Sequence, residues 1–154
     1  IGSTAATCGF DFNYRSQLHN NKKVSQLLFK KISENVDINF VSFDDVKELF
    51  DIKNPYEVFE ILNDKKNLIL IRYKDSIIFK NKQEVIKTVK VCHGEVVDTT
   101  AAGDAFNGSF LALINNDKNI SIEENILKSH SVTREVIKHK GAIISNKNMP
   151  KINT

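Results

Sequence analysis

Hydrophobic residues along this chain follow two periods, one typical of strands and one typical of helices. Aromatic residues alternate with polar ones from Cys8 to Arg15, which predicts a strand that runs into a loop. Apolar residues then recur at helical spacing, which predicts an amphipathic helix over residues 21–35 with an apolar face of Val24, Leu27, Leu28 and Ile32. The lysines of this helix are expected on its solvent side: Lys22, Lys23, Lys30 and Lys31.

The middle of the chain predicts short strands and short helices in turn. A buried strand is expected over residues 37–41, followed by a helix from Ser42 to Phe50 with Ser42 as N-cap and Asp45 at the capping-box position. A further short helix begins at Asn54-Pro55, and three of its side chains are expected to face the core: Tyr56, Phe59 and Leu62. Residues 68–71 predict a buried strand, which turns at Lys74-Asp75 into a hairpin partner over residues 77–79.

The last third of the chain predicts one strand and two helices. Residues 84–91 predict a strand near a sheet edge, because Lys87 and Lys90 lie within it. A helix is expected to begin near Ala102, since apolar residues follow at helical spacing: Phe106, Phe110, Leu113 and Ile114. Ser121 and Glu124 form a capping box at the start of the final helix.

Composition narrows the class of protein. One domain is the natural expectation for 154 residues, of which 41% are hydrophobic. The net charge of +3 comes from lysines interleaved with acids, which favours solvated faces over a nucleic-acid surface. No apolar run is long enough for a membrane span, and the N-terminus lacks the pattern of a signal peptide. Isolated cysteines, Cys8 and Cys92, favour a reducing compartment, so we expect a cytoplasmic protein with no nucleic-acid or membrane partner.

The candidate chemistry lies in the small-residue stretch from Val97 to Gly108, at the predicted strand-to-helix junction. Small residues there let backbone N–H groups approach an anion, and the helix dipole adds attraction. Asp104 falls in the first helical turn, where its carboxylate can take a proton from a hydroxyl that attacks a phosphoryl group. The alternative is an ordinary helix start, in which Asp98 or Thr100 caps the helix and Asp104 only complements the dipole.

Residues 98–107, Asp-Thr-Thr-Ala-Ala-Gly-Asp-Ala-Phe-Asn, resemble the C-terminal signature of the ribokinase-like (PfkB) carbohydrate kinases. The Thr-Ala-Ala-Gly form is most similar to 2-keto-3-deoxygluconate kinases and fructokinases. This resemblance implies an α/β fold, the ribokinase-like three-layer αβα sandwich. Residues 1–154 would form a single partial domain of it, the C-terminal, ATP-side half, without the N-terminal strands and the β-lid.

The same resemblance implies roles for the residues of this stretch. Asp104 would be the catalytic base, and the amides of Ala101, Ala102 and Gly103 would stabilise the transferring phosphate of ATP with Mg²⁺. Nucleotide binding would involve Thr99, Thr100, Ala101, Gly103 and His130, the last against adenine when the chain is aligned backwards from Gly141. Asp98 and the Thr100 carbonyl match a loop that holds a monovalent cation, so K⁺ is a further candidate. An ordinary helix histidine is the alternative for His130.

A second motif supports the substrate side. Residues 10–18 are similar to the Phe-Asp-x-Asn-Tyr-Arg-x-x-Leu segment of the same kinases, although His19 stands where the family has Trp. Asn13 and Arg15 would then bind a sugar or sugar acid, together with Asp104, at the carboxyl end of a parallel strand. An arginine there can bind a carboxylate in bidentate fashion, and the alternative is a surface arginine paired with a nearby acid.

Two departures from the family pattern leave a second function open. The family's Asn-x-x-Glu segment is Ser-x-x-Asp here, so Asp45 would reach Mg²⁺ through water or would only cap its helix. Residues 72–76 lack the family's Gly-x-x-Gly element, although Arg72 or Lys74 could contact phosphate instead. The rival to a carbohydrate kinase is therefore a non-catalytic pseudokinase or truncated domain that acts through self-association, as a homo-oligomer, or through a protein partner.

Overall fold

The computed structural model of the protein describes residues 6–62, 67–81 and 85–150. The described chain forms two compact units, which divide between Thr88 and Val89. The helices and strands of the first unit are β1 (Gly9–Asp11), a short 3-10 turn (Ser16–Leu18), α1 (Lys22–Ser33), β2 (Ile38–Ser42), α2 (Phe43–Phe50), α3 (Glu57–Ile61), β3 (Leu68–Tyr73) and β4 (Ser76–Lys80). Strand β5 (Ile86–Lys90) contains the boundary, and α4 (Ala102–Asn116) and α5 (Ile122–Val136) form the second unit. The prediction of a single partial domain over residues 1–154 stays a prediction.

The strands form one mixed sheet in the order β1-β2-β3-β4-β5. β1, β2 and β3 are parallel, with Phe10 opposite Asn39 and Asn39 opposite Ile69. β4 returns antiparallel through the hairpin predicted at Lys74-Asp75, so that Tyr73 pairs with Ser76. β5 lies at the edge of this order, as its lysines predicted, while Glu84 at the start of that prediction lies outside the described residues. The α/β class is confirmed, and the carboxyl ends of three parallel strands meet at one edge.

The core of the first unit is built from aliphatic residues of β2, β3 and α2 with an aromatic group beside them. Val41, Val46, Leu49 and Ile71 have no measurable exposure. Phe10, Phe12, Tyr14, His19 and Phe29 form ring contacts with centroids 4.9–5.8 Å apart. The alternating aromatic residues of the first motif therefore fix β1 and the loop after it against α1.

The prediction for α1 is right about the helix and wrong about its buried face. Asn21 caps the helix by accepting from the Val24 N–H, but Val24, Leu27 and Leu28 are 58%, 70% and 50% exposed. The buried residues are Ser25, Phe29 and Ser33. The Phe29 ring packs among the other aromatic rings, and Ser25 and Ser33 are small enough to let the helix approach closely on that side. These contacts stabilise this orientation of α1 more than burial of Val24, Leu27 and Leu28 would. The apolar stripe that defines the helix in the sequence therefore faces solvent.

Two smaller expectations in the middle of the chain are also wrong. Ser42 is the N-cap of α2, but its side chain makes no capping hydrogen bond, because its neighbours in β2 hold it as the last strand residue. Asp45 is consequently not half of a capping box. Tyr56 is 47% exposed, whereas Phe59 and Leu62 are buried as predicted. Tyr56 lies just before the first residue of α3 and is exposed, whereas the neighbouring Pro55 is buried.

The second unit consists mainly of α4 packed against α5, and its predicted elements are confirmed. Phe106, Phe110 and Leu113 of α4 and Ile126 of α5 are almost fully buried. Ser121 caps α5 by accepting from the Glu124 N–H at 3.2 Å. The buried amide of Asn125 donates to the Phe110 carbonyl at 3.1 Å and accepts from the Ser129 hydroxyl at 3.0 Å, so it joins the two helices. Among the described residues no helix is both long and apolar enough to cross a membrane.

Candidate active site

The N-terminus of α4 presents backbone N–H groups that no side chain caps. Ala101 is the N-cap residue, and it cannot accept a hydrogen bond through its methyl side chain. Ala102 donates its N–H to the Thr99 carbonyl at 3.0 Å. The N–H groups of Ala101 and Gly103 donate to no acceptor among the residues that the structure describes. Unpaired amides at a helix start favour an anion, and the geometry supports Ala101 and Gly103 for that role more than Ala102.

Asp98 holds the loop that precedes this helix. One carboxylate oxygen accepts from the Thr100 N–H at 2.9 Å and from the Thr100 hydroxyl at 2.6 Å. The other oxygen accepts from the Gly141 N–H at 2.9 Å, and Gly141 has a positive φ of 91°. These hydrogen bonds, first that from the Thr100 hydroxyl, lower the pKa of Asp98 to about 2. Asp98 thus remains ionised and fixes residues 98–100 against the turn that follows α5.

Asp104 lies in the first turn of α4 and is exposed. Its carboxylate makes no hydrogen bond or ion pair with any described residue. An exposed acid at this position is accessible to a substrate hydroxyl. The helix start and the acid in its first turn, both predicted from residues 97–108, are therefore present, while the catalytic roles themselves stay predictions.

His130 is buried, although an ordinary helix histidine would be partly exposed. Its Nε2 lies 3.0 Å from the Cys92 carbonyl oxygen, and its ring meets the His93 ring edge-on at 5.5 Å. Burial, the largest cause, lowers the pKa of His130 from its ordinary value of 6.5. Neutral His130 donates from Nε2 to the carbonyl, which leaves Nδ1 as an acceptor. The histidine therefore ties α5 to the segment before the anion loop, and its contact with adenine stays a prediction.

Arg134 makes a second contact between α5 and that segment. A Cβ atom placed on Gly94 would lie 3.2 Å from Nη2 of Arg134, so the guanidinium lies directly against the Gly94 backbone. Val97 and Asp98 both donate their N–H groups to the Ile137 carbonyl, at 2.8 and 3.0 Å. Residues 92–98 are therefore held along α5 at several points before the loop reaches α4.

The second group of candidate residues lies in the first unit, at the carboxyl ends of β1, β2 and β3. Arg15 Nη1 lies 3.1 Å from Asp45 Oδ1, and half of the Arg15 side chain is exposed. Burial is the largest influence on Asp45 and raises its pKa, which Arg15 partly offsets. The structure brings together the substrate candidate Arg15 and the metal candidate Asp45, as an ion pair. Both roles stay predictions.

A second ion pair lies at the same strand ends. Arg72 Nη2 lies 3.6 Å from Asp11 Oδ1, and Asp11 also accepts from the exposed Asn13 through its N–H at 3.3 Å. Asp11 belongs to the Phe-Asp-x-Asn-Tyr-Arg motif, but no role is assigned to it from the sequence; its position as the last residue of β1 is the signal that would have identified it. Two arginines and two aspartates therefore alternate at the edge where parallel sheets place their ligands.

The turn that replaces the family's Gly-x-x-Gly element has a distinct backbone. Lys74 has a positive φ of 50°, a conformation that favours glycine, and its ammonium lies 5.1 Å from the centre of the Tyr73 ring. Tyr73 in turn packs edge-on against Phe43 at 5.0 Å. Among the described residues no group of three His, Cys, Asp or Glu side chains could hold a metal ion. A Mg²⁺ ion held mainly by phosphate oxygens and water is compatible with this arrangement.

Comparison with known proteins places this geometry in a family. The chain matches the pfkB family of carbohydrate kinases over residues 2–149. It is 31% identical over 146 residues to the 2-dehydro-3-deoxygluconokinase of Escherichia coli (strain K12), an alignment that covers 92% of this chain and 47% of the relative. The chain thus spans about half the length of the curated relatives that it matches.

Solved structures show the same fold. The fructokinase of Vibrio cholerae O395, bound to fructose, ADP and a calcium ion, superposes with a TM-score of 0.74 at 20% identity over 87% of this chain and 45% of its own. The aminoimidazole riboside kinase of Salmonella enterica, complexed with aminoimidazole riboside and an ATP analogue, superposes with a TM-score of 0.74 at 22% identity over 87% and 46%. These likenesses confirm the ribokinase-like fold, and the partial coverage fits its C-terminal portion. The chain therefore belongs to the pfkB family of carbohydrate kinases.

Proposed function

We propose that this chain supplies the ATP side and the catalytic base of a kinase that phosphorylates a hydroxyl of a sugar or sugar acid, as the 2-dehydro-3-deoxygluconokinases do by their name. One observation supports this most strongly. The exposed carboxylate of Asp104 lies in the first turn of α4, the same helix whose start offers the unpaired amides of Ala101 and Gly103. A base beside an anion site is what phosphoryl transfer to a hydroxyl requires.

In the proposed reaction, Asp104 accepts the proton of the substrate hydroxyl. The hydroxyl oxygen forms a bond to the γ-phosphorus of ATP, the bond from that phosphorus to the β,γ-bridging oxygen breaks, and ADP leaves. The amides of Ala101 and Gly103 donate to the oxygens of the transferring group as their charge develops. Protonated Asp104 then returns its proton to solvent. Mg²⁺ supplies charge neutralisation on the phosphates.

The loop residues act by fixing this geometry. Asp98 holds the backbone of residues 98–100 through three hydrogen bonds, so the amides that follow need not be ordered when ATP binds. Thr99 and Thr100 lie next to those amides and are exposed, so both would be accessible to a bound nucleotide. One lone pair of Asp98 and the Thr100 carbonyl are assigned to K⁺, which would add positive charge beside the phosphates.

Arg15 and Asn13 are assigned to the substrate. The Arg15 guanidinium is half exposed and already binds a carboxylate, that of Asp45. A sugar-acid carboxylate would compete for the same guanidinium, which favours an acid substrate over a neutral sugar. Released from Arg15, Asp45 would be free to hold a water molecule of Mg²⁺.

A titration of the protein with ATP and Mg²⁺, followed by amide hydrogen exchange, tests the proposal. We expect binding to slow exchange at Ala101 and Gly103, and we expect a 2-dehydro-3-deoxygluconate-dependent release of ADP. ATP that binds without protecting these amides would contradict the anion site. Release of ADP at the same rate with and without the sugar acid would contradict the acceptor.

A non-catalytic protein remains the second candidate, because the β3–β4 turn offers Tyr73 and Lys74 side chains where the family has glycine. Light scattering combined with the same titration separates the two functions. Stable oligomers that bind no nucleotide would favour the non-catalytic protein, whereas saturable ATP binding favours the kinase.

A further inference from the structure

One arginine at the carboxyl ends of the parallel strands has no role in the proposed reaction. Two ion pairs lie there, Arg15 with Asp45 and Arg72 with Asp11, and we call these four residues the strand-end cluster. Arg15 is assigned to the acceptor and Asp45 to a water molecule of Mg²⁺, whereas Arg72 has no assignment. Arg72 lies opposite Ser42, the last residue of β2, so it is at the edge where parallel sheets bind their ligands.

Asp11 connects Arg72 to the segment that is assigned to the acceptor. Arg72 Nη2 lies 3.6 Å from Asp11 Oδ1, and both side chains are partly exposed. The same aspartate oxygen accepts from the Asn13 N–H at 3.3 Å. Asp11, Asn13 and Arg15 belong to one short segment, the end of β1 and the loop after it. The Arg72 guanidinium is therefore held beside the residues proposed to bind the acceptor.

The two ion pairs act on one another. Arg15 Nη1 lies 3.1 Å from Asp45 Oδ1. Burial is the largest influence on the pKa of Asp45 and raises it; Asp11 raises it further, while Arg15 and Arg72 lower it. Asp45 thus experiences the charges of the other three members, which indicates that both guanidinium groups lie near it. Within the strand-end cluster, two positive charges balance two negative ones before any ligand binds.

A ligand carboxylate can replace the aspartates as the partner of both arginines. A guanidinium presents its donors in a fixed plane that matches the two oxygens of a carboxylate. A carboxylate bound to Arg15 alone would add a third negative charge beside Asp11 and Asp45, which is unfavourable. Contact with Arg72 offsets that charge, because Arg72 is the second cation of the strand-end cluster. The cluster therefore favours an acceptor that carries a carboxylate.

We propose that Arg72 is a second acceptor-binding residue, which exchanges Asp11 for the carboxylate of a sugar-acid substrate and so selects acids over neutral sugars. The inference rests on the proposed function, because the assignment of Arg15 marks the position of the acceptor. In the bound state Arg15 and Arg72 hold the substrate carboxylate together. Asp11 keeps Arg72 in place before the substrate binds, and it retains its bond to the Asn13 N–H afterwards.

Calorimetric titration of the full chain with 2-dehydro-3-deoxygluconate and with its uncharged carboxamide tests the role of Arg72. We expect Arg72→Gln to raise the dissociation constant of the acid by about tenfold or more, and that of the carboxamide much less, because only the acid loses a charged partner. Arg72→Lys should give an intermediate value, since it keeps the charge without the planar fork.

Lys80→Gln is the matched control for the loss of a positive charge on the same hairpin. Lys80 is the last residue of β4 and lies opposite Ile69, at the end of the hairpin away from the strand-end cluster. We expect this variant to bind the acid and the carboxamide as wild type does. Circular dichroism and thermal melts verify that each variant is folded.

Asp11→Asn tests the exchange itself. Asparagine keeps an oxygen that can accept from the Asn13 N–H, but it removes the charge beside Arg72. We expect Asp11→Asn to bind the acid about threefold more tightly, because Arg72 no longer has to leave a carboxylate. In the double variant with Arg72→Gln most of this gain should disappear, since no guanidinium is left to release. An undiminished gain in the double variant would overturn the exchange.

The titrations also separate this inference from the proposed function. A wild-type chain that binds the acid, with an affinity that Arg72→Gln leaves unchanged, would overturn the inference and leave the kinase in place. Weaker binding of ATP and Mg²⁺ by Arg72→Gln, with unchanged binding of the acid, would also overturn it, because Arg72 would then hold phosphate. A wild-type chain that binds neither the acid nor ATP would contradict the proposed function and the inference together.

Discussion

Single residues show how strongly the second unit depends on buried polar contacts. His130 is 9% exposed and lies between the Cys92 carbonyl, the His93 ring and the Arg134 guanidinium. Its neutral form suits this site, because a proton would add a buried charge near another cation. The residue that the family resemblance assigns to adenine thus also has a structural role that residue spacing does not reveal.

The lowered pKa of His130 predicts a pH dependence of stability. A histidine whose pKa falls on folding stabilises the folded state above its ordinary value of 6.5, and this stabilisation is lost as the pH falls below it. We expect the free energy of unfolding to decrease from pH 7.5 to pH 5, by about 1.4 kcal/mol for each pKa unit between the two states. Urea unfolding at several pH values measures it. The His130→Gln variant, which keeps a donor without the titration, should show a shallower decrease; an equal slope would contradict the assignment.

At the scale of the residue, the site was predictable only in part. The motif over residues 98–107 predicts the helix start and the acid in its first turn because both depend on local sequence. The hydrogen bond from the Gly141 N–H to the Asp98 carboxylate joins residues 43 positions apart, so it is not visible in a local pattern. The Arg72–Asp11 pair depends likewise on the parallel register of three strands.

Among the elements, α4 and α5 depend on one buried amide. Asn125 is 1% exposed and bonds to both the Phe110 carbonyl and the Ser129 hydroxyl. We expect Asn125→Ala to lower the free energy of unfolding by about 2–3 kcal/mol, because it removes two hydrogen bonds and leaves a cavity and an unpaired hydroxyl. Urea denaturation measures the change. Asn116→Ala at the exposed end of α4 is the control and should stay within about 0.5 kcal/mol of wild type; equal effects of both variants would contradict the prediction.

The β3–β4 hairpin carries a residue in a strained conformation. Lys74 has a φ of 50°, in which a side chain is unfavourable and glycine is not. We expect Lys74→Gly to stabilise the protein by about 0.5–1 kcal/mol, after the loss of the weak contact with the Tyr73 ring. Thermal unfolding measures the gain. Asp75→Gly, at the neighbouring turn residue without a positive φ, should not stabilise, and an equal gain there would show that turn entropy and not φ is the cause.

The elements themselves were predictable where the apolar period and the cap coincide, as in α4, α5 and the buried strands. Which side of α1 is buried was not predictable, because its longest aliphatic stripe is solvent-exposed while Phe29 and two serines are buried. Hydrophobic spacing identifies a helix, but the partner surface decides which side is buried. Here the aromatic cluster around Phe12 and Tyr14 decided it.

For the whole molecule, two motifs about eighty residues apart indicated one family, and the match over residues 2–149 confirms it. This chain has the fold of a solved sugar kinase, the Vibrio cholerae fructokinase, with which it superposes at a TM-score of 0.74. The chain spans 47% of the Escherichia coli relative, so the acceptor and the activity rest on the proposed function. The central proposal for the molecule is that Asp104 is the base of a phosphoryl transfer.

The most direct measurement of that claim is the rate of 2-dehydro-3-deoxygluconate-dependent ADP formation, together with the dissociation constant for ATP and Mg²⁺, in wild type and Asp104→Asn. Asp44→Asn is the matched control, because Asp44 is an exposed acid in the first turn of α2. We expect Asp104→Asn to lower the turnover rate by about 10²–10⁴-fold with ATP affinity within twofold of wild type, and Asp44→Asn to retain the wild-type rate. Full turnover in Asp104→Asn, or no turnover in wild type, would contradict the account.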